Sequence, residues 1–504
     1  MSNENTSYTQ LRKLMREAGT LGSVNALLAW DQETYMPSGG ADARAEQRSM
    51  IATMVHERRT SARVGELIVA CEHDASLPEI ERSNVREMRR DYDLLTKLPA
   101  SLVGEIASTA TKAQEAWKDA REKSDFATFR PWLEKMMELA RQKASCYGTP
   151  AGGEPYDALL EEYEPGARAA ELQQVFTPLA SELSALIAKI GASGKTDRLS
   201  IRPPSIDASK QHAFGQFLLK SMGFDMSSGR LDTTAHPFCE GLGPGDTRLT
   251  TRYREDEFGG AMYGTLHEMG HGLYEQGLPK LERYGEPLGE AISLGIHESQ
   301  SRMWENLVGR SRAFWTWAQP HASKTMSAWF AAQSVDALYS MSNVVKPSFI
   351  RVEADEATYN LHILLRFTLE RALLKGDLSV AELPGAWNSM FEKLFGLRVP
   401  DDRRGCLQDV HWSCALIGYF PTYSLGNLYA AQFFETARAA IPDLDERFAR
   451  GDFAPLLGWL CTNIHQHGRR YRAGELCERV TGKKLDSGAL LRYLKGKAAE
   501  VYGV

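Results

Sequence analysis

The sequence predicts an all-α protein of long helices with at most a small β-sheet. Two observations carry this. Apolar residues recur at three- and four-residue steps along much of the chain, the period of a helix with one buried face, while strict alternation is scarce. A third observation sets the scale: 504 residues, 43% hydrophobic and 25% charged, form an ordinary globular composition long enough for a large core.

The helical period is visible early, in Met50, Ile51, Met54 and Val55, and again in Val64, Leu67, Ile68 and Cys71. Helix is also expected over 78–124, 288–312, 361–375 and 424–440. Leu172, Val175, Phe176, Leu179, Leu183, Leu186, Ile187 and Ile190 make a further stripe, with Thr177-Pro178 expected to kink or restart it. Gly191 to Ser209 is rich in Gly, Ser and Pro and reads as a surface connection between two helical lobes. Because neither half shows signs of folding alone, a single domain over 1–504 with a cleft is the economical expectation. The best strand candidate runs from Arg248 to Tyr253.

Charge and cysteine usage exclude several classes. A net charge of −6 leaves no basic surplus for phosphates, so nucleic acid is not an expected partner. The opening MSNENTSYTQ lacks the basic and apolar regions of a secretory signal, and no uninterrupted apolar run suggests a membrane span. Seven cysteines without a C-x-x-C pair suit reduced thiols in a cytoplasm.

The chemistry centres on His267-Glu268-Met269-Gly270-His271. On a helix, positions i and i+4 share a face, so both imidazoles can reach one ion, and zinc accepts such nitrogens. Glu268 projects beside the ion, where it can take a proton from water. A third ligand must come from elsewhere, and Glu298, 27 residues after His271, offers a carboxylate on a second helical stretch. The competing reading is an exposed helix that happens to carry His and Glu. Against it, Gly264, Gly270 and Gly272 flank the motif at a cost to helix stability, which suggests close approach by another element.

Five separated motifs extend the pattern. Besides the His267 segment they are Asp246-Thr247-Arg248-Leu249-Thr250, His297-Glu298-Ser299-Gln300, Ile350-Arg351-Val352-Glu353-Ala354-Asp355, and Gly405-Cys406-Leu407-Gln408-Asp409-Val410-His411-Trp412. An opening segment, Trp30-Asp31-Gln32-Glu33-Thr34, precedes them. In this order the chain resembles the M32 metallocarboxypeptidases, the carboxypeptidase Taq-like family. The resemblance implies an all-helical, dimeric zinc peptidase with a deep groove, which removes single residues from peptide C-termini and sometimes uses cobalt. It implies His267, His271 and Glu298 as metal ligands and Glu268 as the catalytic carboxylate.

Amide hydrolysis also needs a donor for the developing oxyanion. Related helical zinc peptidases use a His and a Tyr from a segment comparable to Gln408–Asn427, so His411 and Tyr423 are the candidates, with Tyr419 as substitute. A packed ring is the alternative for each tyrosine. Recognition of a free α-carboxylate calls for an arginine fork. Arg351, in a motif the family associates with substrate, is preferred to Arg248, whose neighbour Asp246 suggests a structural ion pair; Glu353 and Asp355 raise the same question for Arg351. His236 is a further groove candidate, and a structural histidine is an equal reading. Cys239 reads as a small hydrophobe. His465 and His467, among dense arginines, read as a solvated surface or subunit contact. The rival functions are an endo-acting oligopeptidase and a non-catalytic protein with a structural metal; three apparent ligands and an intact Glu268 argue against the latter.

Overall fold

The computed structural model describes residues 6–199 and 201–504. Helices dominate, and many are fixed at their starts by side-chain caps. Thr6 caps Ser7–Thr34, Asp125 caps Phe126–Tyr147, Ser293 caps Leu294–Arg302, and Asp355 caps Glu356–Lys375 by accepting from the Ala357 and Thr358 amides. The helix Glu356–Lys375 stops at Gly376, whose φ of 85° suits a residue without Cβ.

The differences from expectation have local causes. The stretch 78–124 is two helices, Glu79–Lys97 and Ala100–Lys123, divided at Pro99, which lacks an amide proton and disfavours helix before it. Conversely, Ala169–Ala192 continues through Pro178. Pro178 lies on the exposed face, while Leu172, Phe176, Leu179, Leu183, Leu186, Ile187 and Ile190 are buried. Burying a large apolar side chain contributes about 1.5–3 kcal/mol, so seven together outweigh one interior proline at about 3 kcal/mol. This helix is long and apolar enough to cross a membrane by length and composition alone. Its Phe176 instead packs edge-on against Phe367, centroids 5.2 Å apart. The stretch 288–312 is not one helix: a 3-10 turn at Pro287–Gly289 precedes Leu294–Arg302, which passes into a wider π turn at Met303–Val308.

Among the described residues there is a three-stranded sheet, β1 (Gly229–Thr233), β2 (Cys239–Gly243) and β3 (Asp246–Thr251). β3 is central, parallel to β1 and antiparallel to β2. The expected strand is therefore β3, begun two residues earlier; β1 and β2 are too short and too polar to show alternation.

The chain forms two compact units. One comprises Met1–Thr96, Arg202–Tyr339 and Phe433–Lys483; the other comprises Lys97–Ile201, Ser340–Gln432 and Lys484–Val504. The chain thus passes between units several times, once within the Gly191–Ser209 connection. The first unit contains β1–β3 and the helix Phe258–Gly277; the second contains Ala169–Ala192 and Glu356–Lys375.

Candidate functional site

His267 and His271 lie one turn apart on Phe258–Gly277, with ring centroids 4.8 Å apart and planes at 84°. That helix meets Leu294–Arg302 closely at Gly270. A Cβ there would stand 2.5 Å from the Gln300 carbonyl oxygen and 2.6 Å from the Ser301 Cα, both backbone atoms. At Gly272 a Cβ would run into Phe224 and Leu249, so this glycine admits β3 and its neighbours to the helix. Gly264 differs: its nearest neighbour is 3.9 Å away, and close approach does not explain it.

The crossing at Gly270 brings Glu298 to the two histidines. Its Oε2 lies 3.6 Å from His267 Nε2 and 3.5 Å from His271 Nε2. Three donor atoms, one from each residue, fall within 4.8 Å of one another. Two ligand atoms each about 2.1 Å from one ion, at a tetrahedral angle, stand roughly 3.4 Å apart. The spacing therefore fits a small divalent cation better than direct hydrogen bonding. The outer oxygen of Glu298 accepts from Arg302 Nε at 2.7 Å, and Ser301 Oγ donates to Oε2 at 3.0 Å. Burial opposes ionising Glu298, but Arg302 and the histidines outweigh it and hold the carboxyl well below its usual range.

The histidines have different supports. His267 Nδ1 is 2.9 Å from Glu305 Oε2, supplied by the π turn; Glu305 is also held by Arg302 and Arg310. His271 Nδ1 instead faces His297 Nδ1 at 2.5 Å, and His297 Nε2 is 2.8 Å from Glu275 Oε1. Lys280 pairs with the other Glu275 oxygen. Burial would lower His267, yet Glu298 and Glu305 lift it to about 8; burial and His297 together lower His271 to about 3. Glu268 is buried, and desolvation, reinforced by Glu298 and Glu305, pushes its carboxyl up to about 7.

The second unit carries another polar cluster. Arg351, 6% exposed, donates from Nε to Asp409 Oδ1 at 2.9 Å and from Nη1 to the Tyr359 hydroxyl at 3.0 Å. Neither Glu353 nor Asp355 serves as this partner; Asp355 is occupied as the cap described above. Asp409 Oδ2 accepts from Arg366 Nε at 2.7 Å, so one carboxylate holds two buried guanidiniums. Gln408 accepts from the Arg351 amide at 2.9 Å and donates to the Phe349 carbonyl, fastening the two motifs together. His411 Nε2 is 3.3 Å from the Tyr423 hydroxyl, and burial lowers the imidazole to about 4. The Tyr419 ring packs against His411, centroids 5.5 Å apart, and Pro421 opens the helix Pro421–Ala440 between the tyrosines. Trp412 Nε1, the Gly418 amide and the Tyr156 hydroxyl all donate to buried Glu370 at 2.8, 3.2 and 2.6 Å.

The remaining expectations divide. Arg248 makes a two-pronged pair with Asp246 (2.9 and 2.8 Å) and lies 4.3 Å from the centroid of Trp30, as the structural reading held. His236 is exposed in the loop between β1 and β2. Burial raises the Cys239 thiol well above its usual range, as suits a small hydrophobe. All seven cysteines are thiols outside any disulfide. The His465 segment needs correction: it is not a solvated surface. His465 is fully buried with Nε2 2.9 Å from Gln300 Oε1, and buried Arg469 pairs with Asp91, Glu290 and Glu87. Sequence reading counted the arginines and missed their acids, which lie far off in the chain. It also gave no role to Glu305, Glu275, Asp409, Arg366 or Glu370. Glu275 had a local signal, since His267, His271 and Glu275 follow one another at four-residue steps.

A His, His, Glu donor set beside a buried carboxylate is the equipment of a metal-dependent hydrolase. Residues 10–498 match the family described as carboxypeptidase Taq (M32) metallopeptidase. The chain is 46% identical to thermostable carboxypeptidase 1 of Thermus thermophilus, covering 99% of each. It is 36% identical to carboxypeptidase 1 of Bacillus subtilis, covering 97% of each. The crystal structure of an M32 carboxypeptidase from Deinococcus radiodurans superposes with a TM-score of 0.95 at 42% identity, covering 99% of this chain and all of that one. The chain belongs to the M32 family and is a metallocarboxypeptidase, a hydrolase that acts on peptides with a divalent metal.

Proposed function

We propose that this enzyme is a zinc carboxypeptidase that removes single residues from the free C-termini of peptides with broad specificity, cobalt being a possible substitute. One observation carries the reading: two imidazole nitrogens lie 3.5 and 3.6 Å from one Glu298 oxygen, beside buried Glu268. His267, His271 and Glu298 would hold the ion, which supplies Lewis-acid polarisation of the carbonyl and a more acidic water. Glu268 takes the proton of the attacking water and returns it to the leaving amine. Burial, which disfavours the ionised carboxylate, suits Glu268 to hold and hand on that proton. His411 and Tyr423 stabilise charge on the carbonyl oxygen, with Tyr419 as substitute. A neutral imidazole and a phenol suit donation without adding a competing base.

Arg351 binds the terminal carboxylate through the part of its fork that Asp409 and Tyr359 leave over. Arg248 and His236 are secondary substrate contacts. We further propose a cytoplasmic homodimer. Cysteines held as thiols support the compartment, and the family resemblance supports the dimer.

A time-resolved ladder of products from a free peptide and its C-terminal amide, run alongside elemental analysis, tests the proposal. Stepwise loss of single residues from the free peptide alone, with one zinc per chain, is expected. Equal internal cleavage of both peptides would indicate an endo-acting enzyme. Glu298→Ala should lose zinc to a chelator that the parent withstands, since affinity follows ligand count.

A further inference from the structure

We propose that Arg366, buried behind Asp409, is a positioning residue for C-terminal recognition: by taking half of Asp409 it leaves Arg351 with an unbalanced positive charge that draws the peptide's terminal carboxylate. The inference rests on Arg351 binding that carboxylate.

One carboxylate stands between two guanidiniums. Asp409 Oδ1 accepts from Arg351 Nε at 2.9 Å, and Oδ2 accepts from Arg366 Nε at 2.7 Å. The two cations hold Asp409 ionised, well below the usual carboxylate range. Burial works against the Arg366 charge, but Asp409 opposes it and an arginine stays protonated in a protein. Burial also lowers the neighbouring His362 and His411 imidazoles, which therefore add no charge. Glu370, one turn beyond Arg366, accepts from Tyr156, Trp412 and the Gly418 amide instead, and burial favours its neutral form. The cluster thus sets two positive charges against one negative charge. Without Arg366, Asp409 would balance Arg351, and an incoming carboxylate would meet nearly as much repulsion as attraction. With it one positive charge is left over, and Arg351 Nη2, which neither Asp409 nor Tyr359 holds, can offer it to an anion.

The surroundings of Arg366 speak against a packing role. It is fully buried, its Nη1 donates to the His362 carbonyl at 2.7 Å, and its guanidinium lies 4.7 Å from the Trp387 ring centroid and 5.4 Å from that of Phe420. A methionine would fill much of the same space without the cost of desolvating a charge, and apolar replacements of buried charged groups are often neutral or stabilising. The same helix, Glu356–Lys375, supplies a second brace, since Tyr359, two turns before Arg366, accepts from Arg351 Nη1 at 3.0 Å. One face of one helix therefore holds Arg351 directly and acts on its charge through Asp409.

The test uses the full-length, metal-loaded enzyme and measures kcat and KM for an N-blocked peptide, the competitive Ki of its C-terminal amide, and the Tm of each variant. Arg366→Met removes the charge and keeps most of the bulk. Its KM should rise roughly 10- to 100-fold, the loss expected when a unit charge behind a partly desolvated contact disappears. The change in kcat should be smaller, and the Ki of the amide should hardly move. Arg366→Lys keeps the charge and should recover much of the loss. Adding Asp409→Asn to Arg366→Met restores the excess of one positive charge and should bring KM back toward the parent value. If Arg366 only orients Asp409, the double variant will be worse than the single one, and that result overturns the proposal. So does a rise in KM for Arg366→Met of less than about threefold. Should Arg366→Met fail to fold, the double variant decides alone: its KM should lie within about fivefold of the parent, and a larger rise is decisive against the charge role. Arg351→Ala is the control. Equal losses on the free peptide and its amide would mean that Arg351 does not hold the carboxylate, and Arg366 would then have nothing to act through.

Discussion

The His267–His271–Glu298 cluster and the Arg351 cluster solve different electrostatic problems. In the first, two histidines and Glu298 converge with only 3.5 to 3.6 Å between nitrogen and oxygen, a gap suited to a cation. In the second, Asp409 is already saturated by Arg351 and Arg366. The first cluster draws its donors from two neighbouring helices, whereas the second draws on three separated stretches of chain. Removing one donor from the first should change chemistry or metal affinity. Removing Asp409 from the second leaves two buried guanidiniums without their shared carboxylate, which costs about 3–5 kcal/mol.

The largest expected effect lies in the first cluster. Glu268→Gln keeps the shape of the side chain and removes its basicity. Turnover should fall roughly 10²- to 10⁴-fold while metal content stays near that of the parent. Retained activity, or lost metal, would assign Glu268 a ligand or packing role.

In the second cluster, Arg351→Ala should lower kcat/KM on a free peptide by roughly 30- to 4,000-fold, the equivalent of about 2–5 kcal/mol. Any residual turnover of the amidated peptide should be barely affected, because that substrate has no carboxylate to lose. Measuring both substrates with both enzymes gives a cycle in which mutation and amidation are non-additive. Independent, multiplying losses would move carboxylate recognition to Arg248.

The smallest effect concerns stability near the His411 loop. Burial pushes the Glu370 carboxyl up to about 7, although Tyr156, Trp412 and the Gly418 amide oppose the shift by donating to it. A folded-state pKa above the unfolded value contributes stability that is present below about 4.5 and lost as pH rises through about 7. The parent should therefore lose up to about 3 kcal/mol from this group between roughly pH 5 and pH 8. Glu370→Gln should show a flatter Tm profile over that window. An unchanged slope would mean that Glu370 is ionised throughout.

The sequence by itself determined the helical class, through apolar periodicity, and singled out His267, His271 and Glu298, through a four-residue spacing and a matching family motif, as the group that the fold brings together. It also marked Gln408, Asp409 and His411 as belonging together, since they share eight residues. Tertiary structure alone decided what those groups face. Pro178 stays in its helix because seven side chains pack on the opposite face. Arg351 pairs with Asp409 and not with Glu353 or Asp355, because Asp355 is committed to capping the next helix. Arg469 is buried because Asp91, Glu87 and Glu290 come to it from distant segments. Periodicity reports which face of an element is buried, whereas the partner of a charge depends on chain segments that only folding brings within hydrogen-bond reach.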